Sequence, residues 1–429
     1  MARTARGFTL LELLVAMAIS AIVLTSVVLV GNSQVRAYAQ GARQRVAQAQ
    51  GRGALLYLEE QVARAGFGVE PAFAFDFNRY LGGPCPAEMA PCTARDSVGN
   101  SDELVFYARN PSYWVPGDGN AADPSGNAWP ITATSATSVT VRARKGDVFR
   151  MGQVVLEVCR GATFYAYATV AKNLQVAAAG SVDVELQPAV ATDPFNRPDL
   201  AVPPATGASC FSGGLARLFL IDRFRFHVRP ETVDGNVIPY LVLDQGVDRN
   251  LDGAVNADDE LLVAEGVESL QVGYVMANSS LPTPVLGSAN AIKPAVAPDG
   301  DIRYAPATAG SSTTPDELTL TAFPGAAPAF GESVYAPSSW VGLTVGPPPS
   351  PQRLTDHQAN IVGVRIALVT RSAATDLQSP GDTFRPLNQT SDPAWVTARQ
   401  IDGRDGYQRA LFTSTVLLPD MTVGGLTYF

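Results

Sequence analysis

Two sets of oxygen-bearing side chains stand where their spacing gives them chemistry. In the stretch from Asp248 to Asp259, the side chains of Asp248, Asn250, Asp252, Asn256 and Asp259 fall at positions one, three, five, nine and twelve. Ala254 offers its backbone carbonyl at position seven, and Gly253 supplies the turn at six. Flexible, all-oxygen donor sets of this kind suit a hard cation such as Ca²⁺. The second set is a single group. Glu12 is the only ionisable side chain between Phe8 and Val30. A carboxylate inside a bilayer-length apolar run costs a few kcal/mol unless a partner meets it there. Its chemistry is ion pairing, and the partner must be a cation.

The loop matches the twelve-residue spacing of EF-hand and dockerin calcium loops. Asp259 at the last position is the dockerin choice. Ordinary EF-hands place a bidentate Glu there, and Glu260 comes one residue late. The expected role of Ca²⁺ is structural, fixing a loop whose carboxylates otherwise repel. The plainer alternative is an acidic Asn/Asp/Gly turn joining two strands without an ion.

No catalytic constellation emerges, and an enzymatic role is not expected. His227 lies in the alternating run Phe224-Arg225-Phe226-His227-Val228 and reads as a strand residue; His357 reads as a solvent-facing one. There is neither a nucleophile elbow nor a glycine-rich phosphate loop after a strand. The four cysteines suit an oxidising compartment. They permit three pairings, of which the spacing favours Cys85–Cys92 within a proline-stiffened loop and Cys159–Cys210 between strands. With two histidines in the chain and neither near a cysteine, a structural zinc site is not expected.

These residues need elements to hold them. A hydrophobic content of 46% over 429 residues predicts a folded body of one large or two moderate domains rather than a disordered chain. The formal charge of −9 argues against general nucleic-acid binding, which depends on Lys and Arg neutralising phosphates. Residues 8–30 have the length and composition of a transmembrane helix, and Arg3 and Arg6 put its start in the cytoplasm. The apolar run exceeds that of an ordinary signal peptide, and Asn32-Ser33-Gln34 follows it instead of a small-residue cleavage site. A plain membrane anchor is the other simple reading. Val46, Ala49, Gly53, Leu56, Glu60 and Ala63 keep helical spacing, so one rod is expected over 8–66. Gly31, Gly41, Gly51 and Gly53 would soften it.

From about Ser101 the pattern is β. Strands are expected at Val105–Tyr107, Ser138–Arg142, Gln153–Cys159, Thr163–Val170, Leu215–Val228, Ile238–Leu243, Val267–Met276, Ile361–Thr370 and Tyr407–Leu418. Asp234-Gly235 is a hairpin signal. Residues 277–351, rich in Pro, Ala, Ser and Thr, read as a loop insertion, with Leu318–Leu320 a short strand. The predicted fold is α+β: a long N-terminal hydrophobic helix packed on an antiparallel sheet, within a β-rich body over 67–429.

The amino-terminal string Arg6-Gly7-Phe8-Thr9-Leu10-Leu11-Glu12-Leu13 resembles the class III signal of type IV pilins and pseudopilins. That resemblance implies a leader over 1–7, removed by a prepilin peptidase between Gly7 and Phe8, with methylation of the new amino terminus. Glu12 becomes the fifth mature residue, and its carboxylate meets the amino terminus of a neighbouring subunit. Major pilins usually carry a helix-breaking proline in the membrane half, whereas here Leu29 stands in that region and no proline precedes Pro71. This points to a minor pilin or pseudopilin.

Four further segments look like the PilW-type minor pilins: Ala54–Phe67, Ala264–Tyr274, Val364–Arg371 and Arg409–Leu418. The resemblance implies a low-copy subunit that primes type IV pilus assembly and sits at or near the filament tip. Implied partners are other minor pilins, the major pilin, a tip adhesin and the inner-membrane assembly platform. The implied location is the inner membrane, with a periplasmic body, and then the pilus and cell surface. The chain departs from such relatives in ending its last strand Leu417-Leu418-Pro419-Asp420. Two other readings compete: a type II secretion pseudopilin J-like subunit, and a pilus-tip binding module for surfaces or DNA. The second would use Phe330, Tyr335 and Trp340 in the insertion.

Overall fold

The computed structural model describes residues 10–69, 74–75, 101–109, 128–159, 165–189, 196, 216–233, 235–276, 293–296, 302–305, 361–372 and 406–423. Helix α1 runs Leu10–Val62. It ends in tight turns, where the Gly66 amide donates to the Tyr107 carbonyl at 3.0 Å and so hands the chain to the sheet. Gly66 has φ +83°, a left-handed conformation that glycine adopts at little cost.

The strands are β1 (Leu104–Arg109), β2 (Trp129–Thr134), β3 (Ser138–Ala143), β4 (Val148–Phe149), β5 (Val154–Cys159), β6 (Tyr165–Thr169), β7 (Leu174–Gln175), β8 (Gly180–Glu185), β9 (Ala216–Val233) and β10 (Asn236–Asp244). They continue with β11 (Leu261–Glu265), β12 (Val267–Met276), β13 (Lys293–Val296), β14 (Ile302–Ala305), β15 (Ile361–Arg371) and β16 (Arg409–Leu417), and a short helix α2 (Pro419–Val423) closes the series. All their pairings are antiparallel. With α1 they make an α+β fold.

Two apolar cores result, and β9 belongs to both. Phe224 and Phe226, in its later half, join Ala54, Leu58 and Val62 of α1 with Leu104 and Phe106 of β1, Leu241 of β10 and apolar residues of β12 and β15. Ala216, Leu218 and Leu220, in its first half, enter a separate core with Trp129, Ile131, Val141, Phe149, Val155 and Val184. β9 has 18 residues, well beyond the expected Leu215–Val228, because its far half pairs with β10, with Val233 opposite Asn236. Gly235 has φ +79°, as a tight hairpin turn demands.

α1 uses its second half to pack. Ala47, Gly51, Ala54, Leu58 and Val62 recur every three or four residues and are buried. They lie on the three-stranded sheet β12-β15-β16 and its neighbours. Thr370 of β15 donates its hydroxyl to the Ala47 carbonyl at 3.2 Å. A Cβ at Gly51 would stand 2.1 Å from the Phe412 ring. Gly51 is therefore a contact point of helix and sheet rather than a softening of the rod.

Several elements differ from the sequence expectation. β2, β8 and α2 were not anticipated, nor were the two-residue strands β4 and β7. The insertion 277–351 contains a hairpin, with Lys293 opposite Ala305 and Val296 opposite Ile302. Leu318–Leu320 lies outside the described residues.

Candidate functional site

The sequence directs attention first to the start of α1. Gly7 and Phe8 lie outside the described residues. Glu12 lies in α1 two residues after its first residue, Leu10. The apolar side chains around it are not covered among the described residues: Leu11 is 71% exposed, and every described large apolar side chain from Leu10 to Val35 is exposed. The span Leu13–Val35 has 23 residues and meets the length and composition of a membrane-crossing helix. At 1.5 Å per residue it is about 35 Å long, enough for a bilayer core of about 30 Å. It overlaps the expected 8–30, whose first two residues lie outside the described residues. A continuous apolar surface of this extent needs lipid or other apolar helices around it. A carboxylate in that environment needs a cation.

The Asp248–Asp259 loop joins β10 to β11, and its side chains cap its own backbone. Asp248 Oδ2 accepts from the Gly253 amide at 2.7 Å and from Asn173 Nδ2 at 2.5 Å, and Oδ1 accepts from the Asp252 amide at 3.2 Å. Burial works against its ionised form, yet donation from Asn173 and the loop amides holds its carboxyl below the usual range. Asn250 Oδ1 accepts from the Asp252 amide, Asp252 Oδ1 from the Ala254 amide and Asn256 Oδ1 from the Asp258 amide, at 2.9, 2.9 and 2.7 Å. Asp259 gathers the Arg249 and Asn250 amides on Oδ1, at 2.7 and 3.2 Å, and the Asn256 amide on Oδ2 at 3.0 Å. It closes a single 3₁₀ turn at Ala257–Asp259.

Asp248 and Asp259, at the loop's two ends, are both buried. Leu251 adopts φ +64°, the one non-glycine residue with positive φ among those described, beside Gly253 at φ +91°. Among the described residues, no group of three or more His, Cys, Asp or Glu side chains is placed to hold a metal ion. The donor types still fit a hard cation. Their present partners are amides.

His227 lies on β9 opposite Val242, half-buried, as an ordinary strand residue. Burial and the neighbouring Arg225 push its imidazole down to about 4, so it is neutral at physiological pH. Arg225 makes a two-pronged contact with Glu103, at 3.1 Å on both arms, and reaches Asp244 at 3.0 Å. That triad ties β9 to the segment entering β1 and to the end of β10.

Sequence reading missed Glu157. It is fully buried on β5, opposite Ala166 of β6 and Leu218 of β9. Thr134 donates to its Oε2 at 3.0 Å, while Oε1 has no hydrogen-bond partner. Burial raises its carboxyl to about 8, against the lowering effect of that one hydrogen bond. A lone Glu inside Val154-Val155-Leu156-Glu157-Val158 was the available signal, since a continuous apolar run marks a strand buried on both faces.

Cys159 ends β5 opposite Ala216. Cys85, Cys92 and Cys210 lie outside the described residues, and so do His357, Phe330, Tyr335 and Trp340.

Residues 2–28 match the family pattern described as the prokaryotic N-terminal methylation motif. No curated protein and no solved structure matches the chain. The motif, with the apolar helix behind it, fits a type IV pilin-like protein with a class III signal.

Proposed function

We propose that this chain is a PilW-like minor pilin, a structural subunit that helps to initiate type IV pilus assembly and sits at or near the filament tip. The coarser statement, a type IV pilin-like or pseudopilin protein tied to pilus or secretion machinery, already follows from the methylation motif. Proteins of that kind are structural rather than enzymatic.

The PilW-type part of this reading rests on the resemblance of Ala54–Phe67, Ala264–Tyr274, Val364–Arg371 and Arg409–Leu418, and one structural observation supports its pilin-like part. An entirely exposed apolar helix with a single acid near its start continues into a half that is packed on a sheet. The first half serves the membrane and then the filament, whose neighbouring helices replace lipid. Cleavage between Gly7 and Phe8 supplies the cation, because it creates an amino terminus on each subunit. Glu12 pairs with the amino terminus of the next subunit as the helices stack. In a low-dielectric setting that pairing strongly favours one stagger, since an unpaired carboxylate there is costly. The expected partners are other minor pilins, the major pilin, a tip adhesin, the prepilin peptidase and the inner-membrane assembly platform.

The test is Glu12→Ala in the native host. Loss of the subunit from sheared filaments, together with reduced piliation while the protein level holds, supports the reading. Normal incorporation and piliation would refute it. A deletion that abolishes protein secretion and leaves pili intact assigns the chain to the pseudopilin J-like class instead.

We also propose that the Asp248–Asp259 loop takes Ca²⁺ through Asp248, Asn250, Asp252, the Ala254 carbonyl, Asn256 and Asp259. The spacing and the all-oxygen donor set support this. Asp259 must then turn from the loop amides to the ion. The ion's contribution is to neutralise the loop's carboxylates and fix its conformation at the base of β11.

A further inference from the structure

Beside that loop lies a cavity of about 150 Å³, lined by Arg150, Gln153, Asp222, Arg223, Gln245, Val247 and Arg249. Three guanidiniums there face one carboxylate, in a chain whose formal charge is −9. Like charges gathered around one concavity repel, and burial worsens this unless an anion joins them.

The guanidiniums retain unused donors. Arg249 engages its backbone, through its amide to Asp259 and its carbonyl to Arg150, but its side chain makes no hydrogen bond or ion pair within the described structure. Arg223 reaches Asp244 only at 3.6 Å, and its buried Nε has no hydrogen-bond partner. Asp244 is already committed to Arg225 and to the Gly246 amide, at 3.0 and 2.6 Å. Arg150 is held in place by donating Nη1 to the Arg249 carbonyl at 2.6 Å.

Close backbone contacts join the walls. A Cβ at Gly152 would stand 2.1 Å from the Gly246 carbonyl oxygen, so glycine permits these two turns to touch. The Asp248 amide then donates to the Met151 carbonyl at 2.9 Å, and the Met151 amide donates to Asn173 Oδ1 at 2.8 Å. The backbone that carries Arg150 and Arg249 is thereby held, and the Arg150 side chain with it, which lowers part of the ordering cost of binding.

We infer that this cavity binds a small oxyanion, a phosphate or carboxylate group, held by Arg150, Arg223 and Arg249. The planar fork of arginine suits either oxyanion through paired N–H donors. This inference does not depend on the pilin reading.

Isothermal titration of the full-length chain in non-ionic detergent micelles tests it, with sodium phosphate and sodium acetate at constant ionic strength against a chloride background. Saturable binding of either salt is expected. Arg249→Gln should weaken it roughly tenfold, while Arg142→Gln, an exposed arginine elsewhere, leaves it unchanged. Arg223→Lys keeps the charge but loses the fork, and weakens binding as well. Preference for phosphate identifies a tetrahedral ligand, and preference for acetate identifies a carboxylate such as a partner's side chain. Absence of saturable binding up to about 10 mM of both salts, or equal weakening by Arg142→Gln and Arg249→Gln, overturns the proposal.

Discussion

The Phe412 ring occupies the space that any side-chain carbon at position 51 would need, with its Cε2 atom 2.1 Å from an ideal Cβ on Gly51. This places α1 directly against β16, three residues before Ala54 enters the shared core. Around Gly53, two positions further on, no atom of the described residues outside the helix's own nearby backbone lies within 4 Å of such a carbon. The two glycines therefore have opposite consequences in one helix.

Gly51→Ala must push the ring or the helix aside and is expected to destabilise the folded body by about 1–3 kcal/mol. Gly53→Ala adds helix propensity without a clash and should stabilise it by about 0.5–1 kcal/mol. Chemical unfolding of the two variants in the same detergent reads the difference. Equal effects would place α1 differently from the packing described.

Glu157 makes stability depend on pH. Its carboxyl titrates near 4.5 in the unfolded chain and is raised to about 8 when folded, so folding favours the protonated form. Stability from this group is fully present below pH 4.5 and declines as pH rises through about 8. Glu157→Gln keeps an acceptor for the Thr134 hydroxyl and removes the titration. The variant should be more stable than the parent at pH 8, by on the order of 2 kcal/mol or more, with the gap closing towards pH 4.5. Parallel stability–pH curves for the two proteins would show that this carboxyl does not titrate there.

Calcium should act through Asp252. In chelator, Asp252→Ala loses two exposed contacts, with the Ala254 amide and the Asn250 amide group, at a cost of about 1 kcal/mol. In millimolar Ca²⁺ the parent gains a ligand-dependent rise in melting temperature that the variant lacks. A parent whose melting temperature ignores Ca²⁺ and chelator alike has an ion-free, self-capped loop.

Much of the fold was legible because local chemistry and burial agree. Val267–Met276 has the same bounds in sequence and structure, as its apolar alternation is bracketed by Gly266 and polar sequence. Gly266 itself has φ +76°. Asp234-Gly235 announced the β9–β10 hairpin. β2 was obscured by Trp129-Pro130, since proline argues against a ladder position, and here it sits opposite Arg217 where β2 meets β9. β8 was obscured because four of its six residues are exposed, leaving Val184 as its one buried residue. α2 begins at Pro419, a residue that fits the first turn of a helix as readily as it ends a strand. Its Met421 fills space against Gly66, a contact no sequence spacing announces.

The sites divide on the same principle. Glu12 and the acidic loop are local patterns and can be read from short stretches. The arginine cavity draws on β9, the β4–β5 turn and the segment after β10, so only the fold brings Arg150, Arg223 and Arg249 together.

The central claim is that a leader is removed and Phe8 becomes the amino terminus that pairs with Glu12 of a neighbour. The intact mass and amino-terminal fragment of the chain purified from its native host test this most directly. The expected product is a polypeptide beginning at Phe8 with a methylated amine. A chain that keeps residues 1–7, in cells whose prepilin peptidase is active, would contradict it.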